Sequence, residues 1–325
     1  MSSIAADLDQ LIVEDLALRE RDHRLRTRRA VVPLSSTRLA IDGVEYVNFA
    51  SNNYLGLTHH PRLLATAREC LKSDGLGSGA APLITGYTQR HAQAESAIAH
   101  WKGTADAVLL PSGYQANHAA IQTLAALGKK QGGGGGTRFL IDKLAHASLL
   151  DAVRASDAEF RVFPHNHLGK LERLLRDARS DQLQVVLTES IFSMDGDAAD
   201  LAGLSELKDR HRFILLLDEA HGSGVYGAAG AGYAAEKGLA SRVDVSIVTL
   251  SKALGCVGGA VCASKAFCAA VVNHGRAFVY STALPPVIAA AVSEAIALLR
   301  EEPWRQSTVR AMAREVRASI EKMGV

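Results

Sequence analysis

The residues of this chain that could do chemistry stand at the ends of short apolar runs. Lys252 follows SIVTL and precedes the glycine-containing segment ALGCVGG. A lysine at the mouth of a sheet, shielded by apolar neighbours, can lose its proton readily and act as an amine nucleophile. Asp218 closes the aliphatic run FILLLD. A carboxylate so placed needs a partner that carries positive charge or donates a proton, and a protonated pyridine nitrogen is one such partner. PSGYQANHAA reads as a strand-to-helix turn whose free backbone N–H groups suit a phosphate. Amine nucleophile, buried Asp and phosphate cradle together describe a site for pyridoxal 5'-phosphate (PLP).

Other run ends are similarly polar. Ser112-Gly113-Tyr114 follows Ala107 to Leu110, and Asp142 and His146 follow the run from Arg138. Glu189 and Ser193 follow Val185, His221 follows Asp218, and Thr249 and Ser251 precede Lys252. The elements that must position them alternate: apolar runs, also at Glu159 to Phe163, Val243 to Leu250 and Gly259 to Ala263, are separated by helical stretches such as Leu201 to His211. Several runs are nearly continuous, as strands covered on both faces require, so the reading is a largely parallel α/β sheet. Ligands of such sheets bind outside the carboxyl ends of the strands, where these polar residues sit. A competing reading, a metal-dependent hydrolase using His146, Asp218 and His221, rests on a common spacing and leaves Lys252 unexplained.

Upstream, residues 4 to 30 read as a helix and residues 38 to 49 as a hairpin around Asp42-Gly43. The five glycines 132–136 read as a flexible loop without the Lys-Ser/Thr of a P-loop. After Pro285-Pro286 one long helical stretch breaks near Pro303. The expected organisation is an N-terminal helix and hairpin arm over 1–50, a large cofactor-binding α/β domain over 51–288, and the start of a small C-terminal domain over 289–325.

Composition excludes several classes. Hydrophobic residues at 48% and charged residues at 22% are ordinary globular usage, not that of a disordered chain or coiled coil. A net charge of +2 from 36 basic and 34 acidic residues offers no global field for nucleic acid or an anionic membrane. MSSIAADLDQ lacks the apolar core of a signal peptide, and the apolar run from Ala277 to Val292 is too short to span a bilayer. A cytoplasmic protein is the expectation, with Cys70, Cys256, Cys262 and Cys268 as small buried residues rather than a disulfide framework.

The segments NFASNNYLGLTHHP, GSGAAPLITGYTQRHAQAESAIAHWKG, PSGYQANHAA, DKLAHASLLDA, TESIFSMDGD, DEAHGSGVYG, TLSKALGCVGG and YSTALPP occur in the order found in the α-oxoamine synthases, PLP enzymes of fold type I. The chain resembles that family from about residue 20 to 290, most closely the branch that makes 8-amino-7-oxononanoate in biotin biosynthesis. The resemblance implies that Lys252 joins the cofactor and later moves protons. It implies that Asp218 pairs with the pyridine nitrogen, His221 with the phenolic oxygen beside Ser193, and that His146 stacks on the ring. Gly113 and Tyr114, with the Thr249 hydroxyl, would hold the phosphate, and Thr282 would reach the phosphate of a neighbouring subunit in a homodimer. Arg26, Asn52 and Glu189 would line the substrate side. The implied reaction is a decarboxylative Claisen condensation of L-alanine with a pimeloyl thioester, carried on CoA or a carrier protein. DEAHGSG and TGYTQRHAQAE separate the chain from 2-amino-3-ketobutyrate CoA ligase and 5-aminolevulinate synthase, and a serine palmitoyltransferase-like enzyme is the alternative within the family. The family's Arg-Leu-Arg segment, which holds the amino-acid carboxylate, has no counterpart before Val325. A truncated, inactive relative is therefore a further alternative, in which PLP binding survives better than turnover.

Overall fold

The computed structural model describes residues 8–130 and 135–324. Its contacts group into two units, Met1–Phe49 and Ala50–Val325.

The first unit contains helix α1 (Leu8–Arg21) and a three-stranded antiparallel sheet of β1 (Val32–Pro33), β2 (Arg38–Ile41) and β3 (Val44–Val47). Asp42 and Gly43 both take positive φ, 50° and 79°, as a two-residue turn twisted to match its strands requires. The helix is shorter than the 4–30 expected. His23 enters the left-handed region at φ 54° and ends it, because a helix cannot continue through that conformation. Residues 4–7 of that expected helix lie outside the described residues.

The second unit opens with α2 (Pro61–Asp74) and α3 (Gln89–Lys102) and then alternates. In chain order follow β4 (Asp106–Leu110), α4 (Gly113–Lys130), β5 (Thr137–Asp142), α5 (Ala147–Arg154), β6 (Glu159–Phe163), α6 (Leu168–Arg176) and β7 (Leu183–Glu189). Next come α7 (Leu201–Arg210), β8 (Ile214–Asp218), α8 (Tyr233–Glu236), β9 (Val245–Thr249) and β10 (Gly259–Ala263). The chain finishes with α9 (Lys265–His274), α10 (Arg276–Val279), α11 (Pro286–Glu301) and α12 (Trp304–Lys322). Of the five-glycine loop, Gly132 to Gly134 lie outside the described residues.

The seven strands form one sheet in the order β4-β10-β9-β8-β7-β5-β6. All neighbours are parallel except β10, which runs antiparallel to both β4 and β9. Residues 250–258 alone join β9 to β10, too few for the dozen or more that a parallel crossover needs. The continuous apolar runs are explained by burial on both faces. One core cluster includes Ile121, Phe139 and Val261, and a second includes Ile98, Val248 and Ile296. A third gathers Leu140, Leu171 and Leu215. The edge strand β6 leaves Arg161 and Val162 exposed.

Residues 289–325, expected to begin a small domain, fall in the same unit as 50–288. The apolar face of α11 explains this: Val292, Ala295, Ile296 and Leu299 are buried in the cluster with Ile98 and Trp101. Cys70, Cys262 and Cys268 are buried, Cys256 is partly so, and all four are free thiols. Among the described residues no helix is long and apolar enough to cross a membrane.

Candidate active site

Three adjacent parallel strands deliver the reactive carboxylates and hydroxyl. β7 ends on Glu189, β8 on Asp218 and β9 on Thr249, and Glu189 stands directly opposite Asp218 in the ladder. All three line a cavity of about 210 Å³ with Gly113, Tyr114, Asn117, His146, His221 and Lys252. Eight of the residues expected from sequence are thus brought to one place: Gly113, Tyr114, His146, Glu189, Asp218, His221, Thr249 and Lys252.

Asp218 is 4% exposed. One carboxylate oxygen accepts from the backbone N–H of Ala220 at 2.9 Å, the other from the side-chain amide of Asn117 at 2.8 Å. Asn117 is in turn bonded to Ser148 at 2.9 Å. Among the described residues no cationic side chain lies within ion-pair distance of Asp218. A buried carboxylate held by neutral donors alone is ready for a cationic N–H in the cavity. Its neighbour Glu189 is pushed up to about 8, by burial first and then by the charge of Asp218. Two carboxyl groups in one buried site cannot both ionise freely, so Glu189 holds a proton at neutral pH. Its Oε1 has no hydrogen-bond partner in the protein.

Lys252 Nζ lies 2.7 Å from His221 Nε2. Burial lowers its pKa, against the opposing pull of Asp218 and Glu189. Burial likewise lowers His221 to about 4, helped by the positive charge of Lys252. The other ring nitrogen of His221 meets the Tyr54 hydroxyl at 2.7 Å, and that hydroxyl donates to Asn52 Oδ1 at 3.2 Å. Its single proton so committed, the Tyr54 oxygen accepts from His221 Nδ1–H. The lone pair of Nε2 then faces Lys252. His146 caps α5: its Nδ1 accepts from Ser148 N at 3.2 Å, which puts the ring proton on Nε2.

The phosphate cradle is the start of α4. Its first N–H groups, those of Gly113 and Tyr114, precede any intrahelical partner, while Ser112 Oγ takes the N–H of Gln115 at 3.1 Å. Thr249 packs on this turn: a Cβ built on Gly113 would stand 3.2 Å from Thr249 Oγ1. A Cβ on Gly259 would meet Gly113 Cα at 2.6 Å, so only glycine at 259 lets β10 approach the cradle. This donor set fits PLP: an N-terminal helix turn for phosphate, a buried carboxylate for the ring nitrogen and a weakly basic lysine for the aldehyde.

The remaining expected residues are placed elsewhere. Ser193 lines an adjoining cleft that shares His221 with the cavity. Thr282 is exposed between α10 and α11, outside the lining of the Lys252 cavity. Asn52 reaches the site through Tyr54. Arg26 is an exposed residue of the first unit. Sequence reasoning missed Tyr54 and Asn117, although both lie inside quoted segments, NNYLGL and PSGYQANHAA. It also missed Arg310, Arg314 and Arg317, whose i, i+4, i+7 spacing marks one face of a helix. Among the described residues no group of three or more His, Cys, Asp or Glu side chains is placed to hold a metal ion.

The family model "Aminotransferase class I and II" matches residues 44–325. The chain belongs to this family. Within it, the chain is 41% identical over 284 residues to the 8-amino-7-oxononanoate synthase of Gluconacetobacter diazotrophicus, covering 87% of this chain and 70% of the relative. It is 38% identical over 312 residues to the synthase of Geobacter sulfurreducens, covering 96% and 75%. Among solved structures, one of SPT (serine palmitoyltransferase) with PLP superposes with a TM-score of 0.88 at 28% identity, over 99% of this chain and 79% of that one. The 8-amino-7-oxononanoate synthase of Francisella tularensis gives 0.66 at 27%, over 80% and 70%. These likenesses make the chain an α-oxoamine synthase of PLP fold type I.

Proposed function

We propose that the protein is a PLP-dependent C-acyltransferase that condenses L-alanine with a pimeloyl thioester, releasing the thiol and CO₂ and giving 8-amino-7-oxononanoate. The observation that carries the PLP reading is the buried Asp218, held by Asn117 and Ala220 and opposed by no cation among the described residues. The choice of substrates is supported by the synthases at 38–41% identity. The cofactor supplies an electron sink for the pair left behind when the amino acid loses its α-proton.

The protein's own residues supply the rest. Gly113 and Tyr114 N–H, with Thr249, bind the phosphate, and Asp218 fixes the ring nitrogen in its protonated form. His146 covers the ring, and His221 stands at the phenolic oxygen. Lys252, with its pKa lowered by burial, takes the α-proton at Nζ and later returns one to the product. Glu189 keeps its proton at neutral pH and donates it as a hydrogen bond on the substrate side. The protein works as a cytoplasmic homodimer in which Thr282 of one subunit reaches the phosphate of the other.

The test is direct. Protein supplied with PLP, L-alanine and pimeloyl-CoA should release CO₂ and yield 8-amino-7-oxononanoate by mass spectrometry. The structural likeness to serine palmitoyltransferase favours L-serine with palmitoyl-CoA as the second reading. Higher kcat/KM with that pair would replace the first.

A further inference from the structure

Beside the Lys252 cavity lies a second cleft, of about 450 Å³, that shares His221 with it. Tyr54, already bonded to His221, lines the same cleft. Its floor is apolar, with Phe192, Val225, Val309 and Ala313. Its far side is α12, which contributes Arg310, Arg314 and Arg317 from one face. Arg310 is neutralised: it holds Glu236 through two bonds of 2.7 and 2.9 Å and lies on the Tyr226 ring at 4.9 Å. Arg314 and Arg317 have no acidic partner within ion-pair distance among the described residues. Two uncompensated guanidinium groups at the end of an apolar cleft call for an anion on an apolar stem, and a guanidinium matches a carboxylate through paired N–H bonds.

We infer that this cleft binds the acyl arm of the thioester substrate and that Arg314 and Arg317 hold a carboxylate at its far end. The inference rests on the acyl-transfer reading above, and it names the substrate class as an acyl thioester derived from a dicarboxylic acid. A thioester has two arms leaving its reacting carbonyl. The carrier arm of CoA is rich in amides and phosphates, whereas the acyl arm is a run of methylenes. The apolar floor beginning at His221 suits the methylenes, and the arginines suit a charge where they end. A plain fatty acyl chain would leave both cations unpaired.

Binding can be read without turnover. Isothermal titration of the PLP-loaded protein with pimeloyl-CoA, heptanoyl-CoA and CoA compares three ligands with one carrier. The wild-type protein should bind pimeloyl-CoA at least tenfold more tightly than heptanoyl-CoA, which matches its length but ends in a methyl group. The R314A/R317A variant should lose that preference while its affinities for heptanoyl-CoA and CoA stay unchanged. R314K/R317K should recover part of it. Equal wild-type affinity for the two acyl thioesters overturns the inference. So does an equal loss for all three ligands, which would assign the arginines to the carrier's phosphates. Failure of the condensation assay with this preference intact would count against the proposed reaction and not against the subsite.

Discussion

Glu189 and Asp218 share one end of the sheet, and only one of them has its hydrogen bonds complete. Asp218 has two donors; Glu189 Oε1 has no partner and the group is raised to about 8. The sign of its effect on stability follows. An acid raised on folding favours the folded state below its unfolded pKa and loses that advantage as pH climbs through the folded value. Glu189 therefore weakens the fold progressively between about pH 4.5 and 8. We predict that E189Q melts higher than the wild type at pH 9 by several degrees and close to it at pH 4, in matched thermal scans. His221, lowered to about 4, acts the other way: its contribution is present above the ordinary histidine range and fades as pH falls through 4. Sequence showed the types of these residues and their strand ends. The pairing of Glu189 with Asp218 is a matter of ladder register, and the bond from Tyr54 to His221 spans 167 positions, so neither was legible there.

Among the elements, the strands were readable because burial on both faces demands continuous apolar runs, and β8 and β9 display them. The reversal of β10 was not, since strand direction is set by the short link after Thr249 and not by composition. That reversed strand carries the phosphate turn, because Gly259 packs on Gly113. Adding one methyl group there must displace backbone, at a cost of roughly 1–3 kcal/mol. We predict that G259A lowers stability by that amount in urea unfolding. The same substitution should weaken PLP binding at least tenfold in a fluorescence titration, because the N–H groups of α4 move with Gly113. Unchanged PLP affinity in a folded G259A protein would mean that the start of α4 does not hold the phosphate. The helix expected over 4–30 shows the opposite limit. Leucine spacing continued to suggest a helix where the backbone turns left-handed at His23, a local choice that periodicity does not register.

On the scale of the molecule, the second unit takes α11 into its core and places α12 beside the catalytic cavity. The sequence reading sought a substitute for the family's carboxylate-binding arginine and named none. Three arginines of α12 line a cleft next to His221; they went unread because only the packing of α12 brings its basic face to that cleft. The proposed homodimer makes a separate prediction. Light scattering should give twice the chain mass, and T282A should raise the PLP dissociation constant several-fold while the dimer persists. An unchanged constant would remove Thr282 from the phosphate site. The central claim is that this cavity is a PLP site closed by Lys252, and reductive labelling tests it most directly. Protein mixed with PLP should absorb near ~420 nm, and borohydride followed by peptide mapping should place the cofactor on Lys252, with K252A unlabelled. A label on another lysine, or a colourless protein at saturating PLP, would contradict the account.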